Sequence, residues 1–398
     1  LQDIFSKEIT DFELVSEARK LCATYVGGVW EAVSNEDFNI RVQSGGLNNF
    51  IFAISLPEKL REPGSKVNDL LLKIYFTENE DDILTESVVT VFLSEKHLGP
   101  TVFGAFTEGR IEEFIPSRIL TNNEFCNIHV GYEIGRILAC IHSLDIPISK
   151  KDRFPKLVED MLTRLRTSSR WSQSQKMHTT LFDKRGILCP DEVTLDLLAK
   201  EFELSKQCVA SSGSPIVFSN NDVHPGNLLL RDGFEVTNDG LTGYPSNVDP
   251  LVLIDYEYCS YNYRGFDLCH YCCESCHDNA NENWPGYRIL QEQWPSDEQQ
   301  RRFAEGYLDQ IDKITQIRGG QRPYCVSDLP LNRELAIKRI LTEIKQFAAF
   351  PQIIWSIWSF RQAEDFPIDS ADFDFFECGF DRLGVYYKWK PEMMKYLN

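Results

Sequence analysis

The hydrophobic pattern of the chain changes once, and this change limits the folds that the sequence can adopt. Between residues 38 and 115, short apolar runs separated by turn residues predict the strands of a mostly antiparallel sheet. A helical pattern from about Asp82 to His97 interrupts these runs, and helical periodicity dominates from Asn122 onward. The sequence therefore predicts an α+β protein with a small N-terminal part, which holds the sheet and one helix, and a larger, mainly helical C-terminal part.

Local signals refine the prediction for the C-terminal part. Ser296 and Gln299 form a capping-box pattern that predicts the start of a helix. Strand-like runs recur only at Ile216–Leu230 and in "LVLIDYEY", which begins at residue 251. The segments 57–69 and 238–247 are rich in turn residues, and we predict that both are loops.

Composition excludes several classes of protein. The 398 residues are enough for two or three domains or for one large two-lobed enzyme. A formal net charge of −19 argues against nucleic acid and anionic membranes as partners, because both attract basic surfaces. The most apolar window, Phe347–Phe360, is shorter than a membrane span and contains a proline, and no signal peptide is visible. We therefore predict a soluble, cytoplasmic protein with no transmembrane segment that binds a small molecule and no nucleic acid.

Polar residues follow two apolar runs of the C-terminal part. In "IVFSNNDVHPGNLLL", a Pro-Gly pair accounts for the turn but leaves Asp222 and Asn227 unexplained. In "LVLIDYEYCS", Asp255 and Glu257 follow an apolar run and lie on the same side if the chain stays extended. Carboxylate and amide oxygens are hard ligands, so this set of residues predicts a site for Mg²⁺ rather than zinc.

Two features of the N-terminal part are typical of phosphate binding. "QSGGLNNF" lies between two strands, so it fits a hairpin whose backbone N–H groups cover phosphates, although an ordinary Gly-Gly hairpin is the commoner explanation of such a segment taken alone. The residues of this hairpin that we expect at a nucleotide are Ser44, Gly45, Gly46, Leu47, Asn48 and Asn49. Lys73 lies in an apolar strand and needs an anionic partner if it is buried. Glu86 in the next helical run can be that partner, and such a pair directs the lysine to nucleotide phosphates.

The run "CHYCCESCH" from Cys269 to His277 contains side chains that zinc binds. One continuous helix cannot place four such ligands around a tetrahedral ion, and the chain has no second CxxC pair. We predict that these thiols pack beside Glu274 instead of binding metal.

Two of the motifs resemble those of a known family. "NDVHPGN" resembles the Asp-x₄-Asn loop of kinase-like phosphotransferases, and the run from Ile254 to Glu274 resembles the choline/ethanolamine kinase signature Ile-Asp-Phe-Glu-x₄-Asn-x₄-Asp-x₆-Glu. The chain has Tyr256 in place of Phe and matches the signature at Asp255, Glu257, Asn262, Asp267 and Glu274. The similarity extends from about Val42 to Phe376. One position differs, because Asn220 stands where the family usually has a histidine.

The resemblance implies a protein-kinase-like bilobal fold, with residues 1–115 as the N-terminal lobe and residues 116–398 as the C-terminal lobe. It implies transfer of the γ-phosphoryl group of ATP to the hydroxyl of choline, with Mg²⁺ as cofactor. This reaction is the first step of phosphatidylcholine synthesis by the CDP-choline route. The resemblance also implies a homodimer.

The resemblance assigns roles to individual residues. Asp222 would orient the hydroxyl and accept its proton, while Asn227 and Asp255 would bind Mg²⁺. Glu257 would help to bind a second ion. Two further expectations concern adenine binding and the support of the loops. The backbone of Glu113 and Ile115 would contact adenine, and two residues would brace the loops through hydrogen bonds, namely Asn262 and Asp267.

The resemblance also implies a pocket for the ammonium group of the substrate. A quaternary ammonium has no N–H to donate, so aromatic faces attract it, together with a carboxylate at longer range. The matching positions are Tyr258, Trp355, Trp358 and Phe375, with Glu274 as the negative wall. The two tryptophans share one face if "WSIWS" is helical, although tryptophans at this spacing usually belong to a core. Choline is favoured over ethanolamine because a primary ammonium needs several acceptors.

Ethanolamine kinase and an aminoglycoside-type small-molecule kinase are the alternative functions. An aminoglycoside kinase would share "DVHPGN" but is not expected to carry both the run that ends at Glu274 and "WSIWS". A binding protein without activity is expected to lack Lys73, Asp222, Asn227 or Asp255, and all four are present.

Overall fold

The structure, a computed structural model, describes residues 2–8, 11–43, 49–75, 80–150, 153–179, 189–243, 248–366 and 372–397. Within these residues, the chain before residue 116 contains an antiparallel five-stranded sheet, and helices are the main regular structure of the chain after it. The predicted α+β organisation is confirmed. The boundary between residues 115 and 116 stays a prediction.

The N-terminal sheet has the strand order β1-β2-β3-β5-β4. Its strands are β1 Asn39–Val42, β2 Asn49–Ser55, β3 Asp69–Tyr75, β4 Val102–Phe106 and β5 Gly109–Glu113. Helices α1 (Gln2–Phe5) and α2 (Phe12–Tyr25) precede the sheet, and α3 (Glu80–Glu95) connects β3 to β4, where the sequence predicts a helix.

Strand β3 has an apolar face and a face that carries a lysine. Leu70, Leu72 and Ile74 are fully buried in a core that also contains Trp30. Because successive side chains of a strand point to opposite faces, Lys73 points away from this core. The period of the strand therefore directs Lys73 toward α3 and the C-terminal part.

The C-terminal helices surround one extended apolar core. These helices are α4 Asn122–Phe125, α5 Ile128–His142, α6 Arg153–Leu165, α7 Leu195–Ala210, α8 Arg264–Glu274, α9 Asp297–Ile317, α10 Arg333–Phe347, α11 Phe350–Asp365 and α12 Phe375–Met394. Ser296 and Gln299 form the predicted capping box at the start of α9. Val89 and Leu93 of α3 join the same core, so α3 packs on the C-terminal part. Within the described residues, no helix is both long enough and apolar enough to cross a membrane.

Short strands connect these helices. They are β6 Ser117–Ile119, β7 Gln175–Lys176, β8 Glu192–Val193, β9 Ile216–Ser219, β10 Leu228–Arg231, β11 Phe234–Thr237, β12 Gly240–Gly243, β13 Leu251–Leu253, β14 Ser260–Tyr263, β15 His277–Asp278 and β16 Arg288–Ile289. Strand β10 pairs with β13 and β6, and β9 pairs with β14. These pairings bring the segment after β9 next to the segment after β13.

Two sequence predictions about strands were wrong. The segment 238–247 was expected to be a loop, but its residues 240–243 form β12, which pairs with β11. Strand-like runs beyond Asn122 were expected only at two places, yet seven strands of the described residues lie outside both, namely β7, β8, β11, β12, β14, β15 and β16. These strands carry polar side chains, so no apolar run marks them in the sequence. Hydrogen bonds to a partner strand stabilise them.

Candidate active site

The loop after β9 holds Asp222 and Asn227 together. A short 3₁₀ turn at Pro225–Asn227 brings the chain back, and the amide Nδ2 of Asn227 donates to the Asp222 carboxylate at 3.0 Å and to the Asp222 carbonyl at 3.1 Å. The amide oxygen of Asn227 has no hydrogen-bond partner among the described residues. The turn therefore orients an amide oxygen and a carboxylate as neighbours.

The surroundings of Asp222 disfavour its charge. Burial raises the pKa of Asp222 well above its usual value, and the nearby carboxylates of Glu274, Asp255 and Glu257 raise it further. His224 lies beside it, with Nε2 at 3.7 Å from the Asp222 carboxylate. These neighbouring carboxylates repel one another, and a cation bound among them would relieve the repulsion.

Asp267 at the start of α8 holds the backbone of this loop. One of its carboxylate oxygens accepts the N–H of Asn220 and the other accepts the N–H of Asn221, each at 2.8 Å. His142 contacts the same carboxylate at 3.0 Å, and Asp267 is fully buried. Asn262 donates to the side chain of Asn221 at 2.8 Å. Asn262 and Asp267 thus support the loop after β9 as expected, and their support of the second loop stays a prediction.

Asn220, where the family usually has a histidine, also supports the loop. Its side-chain oxygen accepts the N–H of Asp222 at 3.0 Å, and its amide donates to the sulfur of Cys259 at 3.6 Å. Asn220 therefore still forms hydrogen bonds that support the loop, although it replaces the histidine that the family usually has.

We expect Asp267→Asn to lower the free energy of unfolding by about 1–3 kcal/mol, because one loop N–H would face an amide NH₂ and stay unsatisfied in the interior. Urea denaturation measures this loss. Asp239→Asn is the matched control, since Asp239 is exposed in the turn between β11 and β12. Equal unfolding curves for Asp267→Asn and wild type would show that the loop does not depend on this carboxylate.

Asp255 approaches Lys73 from the other part of the chain. Nζ of Lys73 lies 3.1 Å from Glu86 and 3.2 Å from Asp255, and Lys73 is 4% exposed. Burial alone would lower the pKa of Lys73, but Asp255 and Glu86 raise it above its usual value. The lysine therefore stays charged between two carboxylates.

The chain does not stay extended at Asp255. Strand β13 ends at Leu253, and Asp255 has φ of 60°, a conformation that costs about 1–2 kcal/mol for a residue with a Cβ atom. Asp255 and Glu257 were expected on one side of the chain only if it stayed extended, and the chain turns at Asp255 instead. The turn directs Asp255 back toward Lys73, and aspartate tolerates this conformation better than most residues do.

Arg110 is a member of the site that sequence reasoning missed. From β5 it contacts Glu86 at 2.6 Å and Glu112 at 2.7 Å. Burial would raise the pKa of Glu86, but Lys73 and Arg110 lower it to about 2. The sequence carried no clear signal for Arg110, because β5 reads Gly-Arg-Ile-Glu-Glu and is not an apolar run like β3.

The predicted nucleotide-binding segments are described in part. Ser44, Gly45, Gly46, Leu47 and Asn48 lie outside the described residues, and Asn49 begins β2. The two residues expected to contact adenine, Glu113 and Ile115, lie at the end of β5 and just after it. Glu113 uses its N–H for the carbonyl of Thr101 at 2.8 Å, whereas the N–H of Ile115 donates to none of the described residues.

The four predicted aromatic side chains lie together. The ring centroids of Tyr258 and Trp355 are 5.4 Å apart, those of Trp355 and Trp358 are 5.7 Å apart, and those of Trp358 and Phe375 are 5.8 Å apart. The indole N–H of Trp358 donates to the Tyr258 hydroxyl at 2.9 Å. Burial raises the pKa of Tyr258, and the charges of Glu257 and Asp222 raise it further, so this cluster adjoins the loop that carries Asp222.

Glu274 is not an isolated negative wall. Both of its carboxylate oxygens contact the guanidinium of Arg382 in α12, at 3.0 and 3.4 Å, and both residues are buried. Burial would raise the pKa of Glu274, but Arg382, His277 and His270 hold it below its usual range. Sequence reasoning missed Arg382, although an arginine in the apolar run of α12 was a signal for a buried anionic partner.

The cysteines near Glu274 are buried in the helix, as predicted. Cys269, Cys272 and Cys273 belong to α8, and the sulfurs of Cys269 and Cys273 are 3.8 Å apart. Burial raises the pKa of Cys269 and Cys272 well above the usual value for a thiol. Among the residues that the structure describes, no group of three or more His, Cys, Asp or Glu side chains is arranged to hold a metal ion.

A buried lysine of an antiparallel sheet, paired with a glutamate of the following helix and with a loop aspartate of the helical part, is typical of kinase-like phosphotransferases. The predicted bilobal fold is confirmed by a crystal structure of choline kinase from Cryptosporidium parvum Iowa II, which has a TM-score of 0.67, 20% identity and 96% of each chain covered. The chain belongs to the choline/ethanolamine kinase family, because the family model with the description "Choline/ethanolamine kinase" matches residues 40–387.

Curated relatives support the same family. A choline/ethanolamine kinase of Homo sapiens is 30% identical over 378 residues, which are 94% of this chain and 86% of the relative. Choline kinase A2 of Caenorhabditis elegans is 31% identical over 394 residues, with 95% of this chain and 86% of the relative covered.

Proposed function

We propose that this protein transfers the γ-phosphoryl group of ATP to the hydroxyl of choline. Family membership supports a kinase that acts on a small amino alcohol. The observation that carries the choice of choline is the aromatic cluster beside the catalytic loop, in which Tyr258 adjoins Trp355 and Trp358. A trimethylammonium group is attracted by aromatic faces and has no N–H that must be accepted.

Asp222 is the proposed residue that orients the choline hydroxyl and accepts its proton. Its fixed contact with Asn227 supports this role, because phosphoryl transfer depends mainly on positioning and on stabilising charge. Lys73 is proposed to contact phosphate oxygens, and Glu86 and Arg110 hold it in place through a buried ion-pair network. Ile115 is proposed to donate its unused N–H to adenine, with Glu113 beside it.

The oxygen ligands of the site fit Mg²⁺. The free amide oxygen of Asn227 and the carboxylate of Asp255 are hard donors, and Mg²⁺ in kinases typically takes one or two protein ligands together with phosphate oxygens. When bound, Mg²⁺ neutralises charge on the phosphates. Asn227 and Asp255 would hold it, and Glu257 would help to hold a second ion.

We also propose that this reaction opens phosphatidylcholine synthesis by the CDP-choline route, in the cytoplasm, and that the enzyme is a homodimer. Family membership supports these statements. Light scattering on the purified protein tests the dimer, and a monomer at micromolar concentration would refute it.

The assay that tests the function measures ADP formation with Mg²⁺-ATP and choline, ethanolamine or an aminoglycoside. We expect the highest kcat/KM with choline, a lower value with ethanolamine and no turnover of the aminoglycoside. Ethanolamine as the better substrate would replace choline in the proposal, and no turnover of either amino alcohol would refute it.

We expect Trp358→Ala to raise the KM for choline about 5- to 30-fold, because a desolvated cation–π contact is worth about 1–2 kcal/mol. The KM for ethanolamine should rise less, since a smaller ammonium makes less contact with the ring. Steady-state kinetics with both substrates measures the difference. Trp284→Ala is the matched control, because Trp284 is 57% exposed.

Thermal melting accompanies these kinetics. If Trp358 only fills a core, its truncation would lower stability by about 3–5 kcal/mol and impair both substrates equally. That outcome would remove Trp358 from the proposed substrate pocket.

A further inference from the structure

Arg382 forms a buried ion pair with Glu274, the carboxylate that the family resemblance places beside the substrate ammonium. Its two terminal nitrogens contact the two oxygens of Glu274 at 3.0 and 3.4 Å, so one guanidinium engages both acceptor atoms. Arg382 is 6% exposed and Glu274 is 3% exposed. Water therefore competes little with this pair, and the two charges largely cancel for a third charge nearby.

Two histidines also surround Glu274. Nε2 of His270 lies 3.6 Å and Nδ1 of His277 lies 4.0 Å from the same carboxylate oxygen, and Nδ1 of His277 contacts the carbonyl of Cys273 at 2.7 Å. Burial lowers the pKa of both imidazoles to about 4, so both are neutral at neutral pH. Arg382 is accordingly the cation that balances Glu274 within this cluster.

This arrangement treats primary and quaternary ammonium groups differently. A primary ammonium carries three N–H donors and loses free energy if it leaves water without finding acceptors. Of the carboxylates near the aromatic cluster, Asp222 and Glu257 are assigned to the hydroxyl and to a metal ion. Glu274, which His270 links to Trp355, remains for the ammonium, and Arg382 already occupies both of its oxygens. A quaternary ammonium has no donor to satisfy and uses the aromatic faces, so the Arg382 contact costs it less.

We propose that Arg382 determines substrate specificity by occupying both oxygens of Glu274, which favours quaternary over primary ammonium substrates. Arg382 acts through Glu274, so it is a positioning residue. The inference rests on the proposed function, because it assumes that the ammonium group binds beside Glu274 and the aromatic cluster.

The test is Arg382→Met, assayed with ethanolamine, N-methylethanolamine, N,N-dimethylethanolamine and choline. Release of Glu274 should raise kcat/KM for ethanolamine about 10-fold or more, because the freed oxygens can accept hydrogen bonds from the primary ammonium. The gain should shrink with each added methyl group, and kcat/KM for choline should change less than about 3-fold. A gain for one substrate is diagnostic, because general damage to the fold lowers all four values.

Two further variants keep the test decisive. Arg382→Lys retains the charge but leaves one oxygen of Glu274 free, so a smaller shift in the same direction is expected even if Arg382→Met does not fold. In a Glu274→Gln background, Arg382→Met should leave the ratio of choline to ethanolamine turnover unchanged. Unchanged ratios in Arg382→Met and Arg382→Lys, or equal losses for all four substrates, would overturn the inference.

His270 provides the competing explanation, because neither of its ring nitrogens has a hydrogen-bond partner among the described residues. A selective loss of ethanolamine turnover in His270→Phe, with no gain in the Arg382 variants, would mean that His270 holds the primary ammonium and would overturn the inference. If the wild type turns over none of the four amino alcohols, the proposed function itself fails. An active wild type with unshifted ratios refutes only the role of Arg382.

Discussion

Asp222→Asn is expected to lower kcat by about 10²-fold or more while nucleotide binding stays close to that of wild type. The amide keeps the size of the side chain, and its oxygen can still accept the hydrogen bond from Asn227, which is 3.0 Å long in the wild type. It cannot accept a proton, and it lacks the charge that orients the substrate hydroxyl. The substitution should therefore weaken stabilisation of the transition state, which lowers kcat, and leave nucleotide affinity nearly unchanged.

Calorimetric titration with Mg²⁺-ADP and steady-state kinetics separate these two effects. Asp239→Asn, in an exposed turn, is the control for the chemical change alone. Turnover within about 3-fold of wild type would exclude Asp222 as the proton acceptor. A parallel loss of nucleotide affinity would mean that the substitution disturbs the loop that Asp267 supports.

Asp255→Asn is expected to reduce activity by about 10³-fold or more, because the proposed metal ligand loses its charge and Mg²⁺ contributes several kcal/mol to phosphoryl transfer. Asparagine suits this position as a probe, since it tolerates the φ of 60° better than alanine does. Lys73 keeps its contact with Glu86, which is 3.1 Å long, so the N-terminal half of the site should persist.

The measurement is nucleotide affinity as a function of Mg²⁺ concentration. Wild type should bind ADP more tightly with Mg²⁺ than without it, and Asp255→Asn should lose most of this difference even at high Mg²⁺. Equal binding of ADP by the wild type with and without Mg²⁺ would contradict the assignment of Asp255 as a metal ligand.

The sequence predicted the parts of the protein in which apolar residues recur at the spacing of a strand or a helix. The alternation of Leu70, Leu72 and Ile74 marks β3, and this same alternation places Lys73 on the opposite face with α3 beside it. A buried lysine needs an anion, so Glu86 followed from residue type and spacing. The face shared by Trp355 and Trp358 followed equally from the period of a helix, and their rings are 5.7 Å apart.

Contacts between distant segments were decided by the tertiary structure. Arg382 and Glu274 are 108 residues apart, and Lys73 and Asp255 are 182 residues apart. The backward turn at Asp255, with its positive φ, also has no local sequence signal, because the contact with Lys73 and the hydrogen bond from Ile254 to Asn227 hold it from outside. A sequence period shows which side of a helix or strand is buried, but it does not show which buried charges meet. Packing of the whole chain selects those partners, since each buried charge is stable only where an opposite charge reaches it.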